Sequence, residues 1–376
     1  MKRKVLFIIE SLAGGGAEKV LSVLLKFFDY DKYEVTVCTI VDVGVYTDEV
    51  QRYVNHYTPI ISYNGNFVSR LLNAIKYKLI YSWLPLSWVY RLFLPQGNDV
   101  EIAFCEGYVT KLLAQANSKS KKITWVHIDL LYFPWPIELG IFKDPAEEGG
   151  AYKQYDKIVC VSETVNHSFR KLYGLDDKIT TVYNPIDIEQ ICNQAGEKRD
   201  SIENVIHLIS VGRLVKQKGY DRLLCVVKRL HKEGYPVNLL ILGEGDERRA
   251  LEAYISDNAM ESYVSLPGFS TNPYRQIKES DIFVCSSRAE GFSLVIAEAM
   301  ALGVPVVSTY CSGPNELLKE GECGMLIENS ENGLYSGLKE ALENIEQMKQ
   351  YVPTALDRLQ EFAPQNIIKE IERLID

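Results

Sequence analysis

The sequence predicts an α/β protein of two doubly wound, mostly parallel sheets. Three observations predict it: apolar runs of strand length alternate with amphipathic stretches of helix length, the alternation starts twice, and 376 residues suit two domains better than one.

The first series opens with the strand Val5-Leu6-Phe7-Ile8-Ile9, the loop Gly14-Gly15-Gly16, a helix over 17–28 and a strand over 33–40, which together make a βαβ unit. Further strands are expected at 100–105, 122–126, 157–161 and 180–183. The second series has strands at 205–211, 237–242, 264–266, 281–287 and 304–309, with helices at 220–232, 248–258 and 294–302. Residues 184–199 read as the linker, and a last helix over 364–375 is free to pack on either half. The expected domains are therefore 1–187 and 188–359, with 360–376 returning to the first.

Hydrophobic content of 47% and charged content of 24% describe an ordinary folded protein, and a net charge of −9 speaks against nucleic-acid binding. The eight cysteines form no CxxC pair; Cys38, Cys105, Cys160, Cys225 and Cys285 fall in or beside apolar runs and read as buried free thiols in a reducing compartment. The first apolar run is too short for a signal peptide, and no uncharged run reaches transmembrane length.

In doubly wound domains, ligands bind at the carboxyl ends of the strands, where several groups gather. Glu290 and Glu298 bracket the start of a helix whose free N–H groups suit a diphosphate, with carboxylates on either side for hydroxyls. Gly14-Gly15-Gly16 lets backbone approach a ligand, or is simply a tight turn; it lacks the third glycine of a dinucleotide fingerprint and the Lys-Ser/Thr of a Walker A loop. Arg213 and Lys218 follow a strand and could grip a diphosphate, or could be surface cations. His127 lies just past a strand end and reads as structural or catalytic. Asp29-Tyr30-Asp31 has the letters of a metal-binding pair but sits at the amino end of the sheet, so no metal site is expected.

No Asp or Glu occurs between Glu49 and Asp99, and residues 67–94 are crowded with apolar groups beside Arg70, Lys76, Lys78 and Arg91. Two readings stand: a segment lying on an anionic membrane, or a buried helical hairpin.

Taken in order, Gly14-Gly15-Gly16-Ala17-Glu18, Val161-Ser162-Glu163, Asn184-Pro185-Ile186-Asp187, Gly212-Arg213 with Lys218-Gly219, Leu242-Gly243-Glu244-Gly245 and the pair Glu290/Glu298 resemble the family 4 glycosyltransferases along essentially the whole chain. The resemblance implies the GT-B fold, two Rossmann-like domains facing a cleft. It implies that Glu290 binds donor-sugar hydroxyls and Glu298 the ribose. Arg213, Lys218 and the amides of Gly291, Phe292, Ser293 and Leu294 would hold the diphosphate, with Gly15 and Gly16 against the phosphate. Pro267, Gly268 and Phe269 would hold the base by backbone, and His127 would stand near the reacting carbon. Pro185 departs from the Asn-Gly of many members.

The implied reaction is metal-independent, retaining hexosyl transfer from a nucleotide sugar, with a UDP-hexose or UDP-N-acetylhexosamine leading and GDP-mannose open. The expected acceptor is a lipid-linked saccharide of capsule, O-antigen or exopolysaccharide synthesis, at the inner face of a bacterial cytoplasmic membrane. No cofactor is expected, since the nucleotide sugar is a substrate. The rivals are an epimerase or hydrolase on the same fold and a non-catalytic nucleotide-sugar-binding subunit.

Overall fold

The computed structural model describes residues 1–62, 67–197 and 205–376. Two compact units emerge: Met1–Pro185 together with Pro364–Asp376, and Ile186–Ala363.

The sheet of the first unit contains β1 (Arg3–Ile9), β2 (Tyr33–Thr39), β3 (His56–Tyr57), β4 (Val100–Ala103), β5 (Lys121–Val126), β6 (Lys157–Cys160) and β7 (Ile179–Thr181), in the order β3-β2-β1-β4-β5-β6-β7. All its pairings are parallel. A parallel strand with helices on both faces must be apolar on both sides. Val5, Leu6, Phe7, Ile8 and Ile9 are accordingly all buried, and Phe7 meets Phe28 and Phe104 edge-on at 5.8 Å each. At about 2 kcal/mol for each large side chain taken from water, this strand alone anchors the unit. Helix α1 (Gly16–Phe27) follows β1 and packs against the C-terminal helix Pro364–Ile375. That last helix buries Ile367, Ile368, Ile371 and Ile375, a stripe of helical period, and so belongs to the first unit.

The basic, apolar stretch folds as α2 (Phe67–Lys78), a π-helical turn over Leu79–Trp83 and α3 (Leu86–Phe93). The segment is buried on one face and exposed on the other, so it is not a fully buried hairpin. Asn73, Ile80, Val89, Tyr90 and Leu94 are buried, while Leu71, Leu72, Ile75, Tyr77, Trp83, Trp88 and Leu92 are exposed. The buried face explains why the segment stays docked: Tyr81 donates to Glu10 at 2.7 Å, and Tyr108 donates to the Ile80 carbonyl at 2.7 Å. The side chain of Arg70 and residues 63–66 lie outside what is described.

The second unit contains β8 (Ile206–Val211), β9 (Val237–Leu242), β10 (Val264–Gly268), β11 (Ile282–Cys285), β12 (Val306–Thr309) and β13 (Met325–Ile327), in the order β10-β9-β8-β11-β12-β13. In each sheet the order reverses beside the first strand, where doubly wound folds bind ligands. The expected linker is not loose chain. It carries α4 (Ile188–Ala195), capped by Asp187, whose carboxylate accepts from the Gln190 N–H at 3.0 Å, and α4 packs into the second unit. Residues 198–199 of that stretch lie outside the described residues. Helix α5 (Tyr220–Lys232) buries Leu223, Leu224, Val227 and Leu230 in this unit's core. Helix α6 (Leu294–Ala301) is apolar apart from Glu298 and buried along most of its length.

All eight cysteines are free thiols. Cys225 and Cys105, expected to be buried, are only partly so, as is Cys192.

Candidate active site

In the second unit the chain leaves β11 at Cys285, two residues earlier than the sequence suggests, and reaches α6 only at Leu294. The loop between carries Glu290. Its Oε1 accepts from Lys218 Nζ at 2.5 Å and from Ser287 Oγ at 2.5 Å. The side chains are 16% (Lys218) and 8% (Glu290) exposed, so the pair sits largely out of water. A pair so placed is expensive to halve: removing one member strands the other, at about 3–5 kcal/mol. Lys218 thus contacts Glu290 directly, a partnership that separate diphosphate and sugar roles did not anticipate.

The loops bearing these residues are joined along their backbones. Gln217 Nε2 donates to Ala289 O at 2.8 Å, Arg288 N to Gln217 O at 2.7 Å, and Ser286 Oγ to Lys218 O at 2.8 Å. Gly219 permits this closeness: its φ is +68°, and a Cβ there would lie 2.2 Å from Ser286 O.

Ser293 begins α6 with φ +33° and ψ 75°, a left-handed conformation that a serine adopts at a cost. Its hydroxyl is buried and bonds to nothing, so it does not cap the helix. The first intrahelical bonds run from Ile296 N and Ala297 N to Ser293 O, at 3.1 and 3.4 Å, which leaves the Leu294 N–H without an intrahelical acceptor. Phe292 is buried edge-on against Phe362 at 5.2 Å and holds Gly291 and Ser293 in place. Glu298 lies further along α6 and is buried at 3% exposure. Arg213, beyond β8, is exposed. At the end of β10, Pro267 and Phe269 are exposed; Gly268 has φ +108° and its carbonyl accepts from Gly243 N at 2.9 Å.

The first unit has its own cluster at the carboxyl ends of β1, β4 and β5. Gly15 caps α1 without a side chain, and a Cβ on it would fall 2.4 Å from Glu18 Oε2, so the Glu18 carboxylate lies over the helix start. Gly16 is the first helical residue. His127 follows β5: its backbone N–H donates to Glu106 Oε2 at 3.0 Å and its Nε2 lies 3.0 Å from the Phe104 carbonyl. A carbonyl only accepts, so Nε2 carries the proton and Nδ1 keeps its lone pair. Burial pushes this imidazole from its ordinary 6.5 down to about 4. His127 is therefore neutral near pH 7 and offers an acceptor, not a positive charge. Trp135 Nε1 also donates to Glu106, at 3.2 Å. Asp29 and Asp31 lie between α1 and β2, at the amino end, where Lys32 pairs with Asp29 at 3.2 Å. Among the described residues no group of three or more His, Cys, Asp or Glu is arranged to hold a metal ion.

Two contributors escaped the sequence reading. Ser287 stands three residues before Glu290 at a strand end, and Glu106 follows β4; the rule that singled out Glu290, a polar group just past a strand, would have found both.

With this geometry in view, comparison with known proteins is specific. Residues 14–190 match Glycosyltransferase Family 4, and residues 194–358 match Glycosyl transferases group 1. Over 377 aligned residues the chain is 29% identical to the N-acetylgalactosamine-N,N'-diacetylbacillosaminyl-diphospho-undecaprenol 4-alpha-N-acetylgalactosaminyltransferase of Campylobacter jejuni, covering 98% of each. Its fold matches Anabaena HepE in complex with UDP and glucose, with TM-score 0.78, 18% identity and 99% of both chains covered. It also matches S. aureus TarM in complex with UDP, with TM-score 0.76, 14% identity and 100% of both chains covered. The chain belongs to the family 4 glycosyltransferases and has the GT-B fold of two parallel-sheet α/β domains. Its relatives include glycosyltransferases of bacterial polysaccharide biosynthesis.

Proposed function

We propose that this chain is a metal-independent, retaining hexosyltransferase that carries a hexosyl group from a UDP-hexose or UDP-N-acetylhexosamine to a lipid-linked saccharide. The Lys218–Glu290 pair beside the start of α6 carries this reading. One member is a cation for a diphosphate, the other a carboxylate for sugar hydroxyls, and the helix start supplies N–H groups between.

In this proposal Glu290 accepts from the donor sugar's hydroxyls, and Lys218 and Arg213 bind the diphosphate with the amides of Gly291, Phe292, Ser293 and Leu294. Glu298 holds the ribose, and the backbone of Pro267, Gly268 and Phe269 holds the base. In the first unit, Gly15 and Gly16 serve the donor phosphate, and His127 offers Nδ1 to a sugar hydroxyl. The bond from the anomeric carbon to the leaving phosphate oxygen breaks as the acceptor oxygen bonds that carbon on the same face. The acceptor's proton passes to the departing phosphate oxygen. The residues need only align the reactants and offset the growing charge on UDP.

The acceptor class is supported by the Campylobacter jejuni relative, whose name specifies a diphospho-undecaprenol substrate. Peripheral attachment at the inner face of the bacterial membrane is supported by the exposed Leu71, Leu72, Ile75, Trp83, Trp88 and Leu92, with Lys78 and Arg91 exposed among them. No helix among the described residues is long and apolar enough to cross a membrane.

The test is a donor screen with UDP-glucose, UDP-galactose, their N-acetyl forms and GDP-mannose, reading thermal shift and nucleotide release. Slow UDP release without acceptor, accelerated by an undecaprenyl-diphosphate saccharide, is expected. Rapid epimerisation without acceptor, or no turnover of any donor, would overturn the proposal.

A further inference from the structure

We propose that Arg222 is a positioning residue for the transfer reaction, holding Glu290 in place through Ser287. The inference rests on the reading that Glu290 contacts the donor sugar.

Arg222 lies in the first turn of α5 and is 7% exposed. Its Nε and Nη2 donate to Ser286 O at 3.2 and 2.7 Å, and Nη2 also donates to Ser287 O at 3.1 Å and to Asn329 Oδ1 at 2.6 Å. None of these acceptors is a carboxylate. The neighbouring Asp221 is engaged by Arg288, with two contacts of 2.9 Å. A buried guanidinium thus directs its charge onto two consecutive backbone carbonyls of the loop that bears Glu290.

Carbonyls of successive residues point to opposite sides of an extended strand. Two that converge on one side chain mark a turn, and here it comes directly after β11 ends. Thr309 Oγ1 donates to the same Ser287 carbonyl at 2.6 Å. With its carbonyl held by Arg222 and Thr309, Ser287 aims its hydroxyl at Glu290 Oε1, 2.5 Å away. Asn329 locks the guanidinium from the far side, its Nδ2 donating to Arg288 O and Tyr310 O at 3.1 Å each. Lysine could not substitute, because an ammonium lacks the planar fork that spans three acceptors.

The test uses the full chain and the UDP-sugar turned over fastest among UDP-glucose, UDP-galactose and their N-acetyl forms. Turnover is read as UDP release and binding as the Kd of UDP. Arg222→Met and Ser287→Ala should each lower kcat on the order of a hundredfold while UDP affinity holds, since only the sugar-facing carboxylate is displaced. Combining either with Glu290→Gln should cost no more than Glu290→Gln alone. Methylguanidinium should restore part of the Arg222→Ala activity and none of the Glu290→Gln activity. Additive losses, or UDP affinity falling in step with kcat, would overturn the relay. Ser287→Ala keeps both carbonyls on Arg222, so it decides the matter if the Arg222 variants do not fold. Full turnover in Glu290→Gln would sink the donor-site reading and the relay with it; loss there with additive Ser287→Ala would sink the relay alone.

Discussion

Lys218 and Glu290, 72 residues apart in sequence, meet at 2.5 Å across two adjacent loops of one domain. The contact makes each residue's environment depend on the other. A donor diphosphate that draws Lys218 toward itself must leave Ser287 as the remaining partner of the Glu290 carboxylate.

The first prediction follows from the split of roles between the two glutamates. Glu290→Ala should abolish transfer and leave UDP affinity largely intact, since it removes the proposed sugar contact. Glu298→Ala should weaken UDP itself, since the residue is assigned to the ribose. Calorimetric titration of UDP into both variants tests this, and equal loss of UDP binding in the two would contradict it.

Ser293 supplies the second. At φ +33° its backbone sits where glycine is at ease, and its hydroxyl has no partner to offset the strain. Ser293→Gly should therefore stabilise the protein by about 1 kcal/mol, seen as a higher denaturation midpoint. UDP affinity should persist, because the amide proposed to bind phosphate remains. A lower midpoint would show that the serine side chain contributes packing that outweighs the strain.

The sheets were legible because their strands are unbroken apolar runs: Val5 to Ile9 can be little else than a buried parallel strand. The placing of Glu290 past a strand and of Glu298 on the helix that follows was legible because an apolar strand, a polar loop and an apolar helix succeed one another there. What stayed hidden depends on contacts between residues far apart in sequence. Nothing near Lys218 announces Glu290, and Arg222, in the first turn of an amphipathic helix, looks like any solvent-facing arginine until Ser286 and Ser287 turn their carbonyls toward it. Residues 184–199, read as a linker, hold α4, which starts where the Asp187 carboxylate caps it, a role that a short polar stretch does not announce.

The third prediction concerns the exposed face of α2, the π-turn and α3. Trp83 and Trp88 are 63% and 56% exposed, with Lys78 against the Trp83 ring at 6.0 Å. Vesicles containing anionic lipid should bind the protein at low salt and release it as ionic strength rises, because the cations' share is screened. Replacing Trp83 and Trp88 by Ser should weaken binding without changing UDP affinity. Indifference to vesicles at low salt would remove the membrane from the proposal.

The fourth prediction concerns pH, where two buried groups pull in opposite directions. Burial lowers the His127 imidazole to about 4 from 6.5, and burial raises the Glu148 carboxyl to about 7 from 4.5. Between pH 6.5 and 4 the unfolded chain takes up a proton at His127 that the folded chain refuses, so stability falls as pH falls through that window. Between pH 4.5 and 7 the folded chain keeps a proton at Glu148 that the unfolded chain releases. Stability from this group therefore falls as pH rises through that window, and above it the ionised carboxylate remains a cost. Glu148 is fully buried, with Tyr173 donating to Oε2 at 2.7 Å and Oε1 without a partner. Glu148→Gln keeps an acceptor for Tyr173 and cannot ionise, so its advantage over the parent should be larger at pH 8 than at pH 5. His127→Gln retains an N–H for the Phe104 carbonyl and cannot take up a proton, so its relative advantage should appear at pH 5 and vanish at pH 8. Denaturant midpoints of the three proteins at both pH values decide it; a difference from the parent that does not change with pH in either variant would show that the group does not titrate as its burial requires.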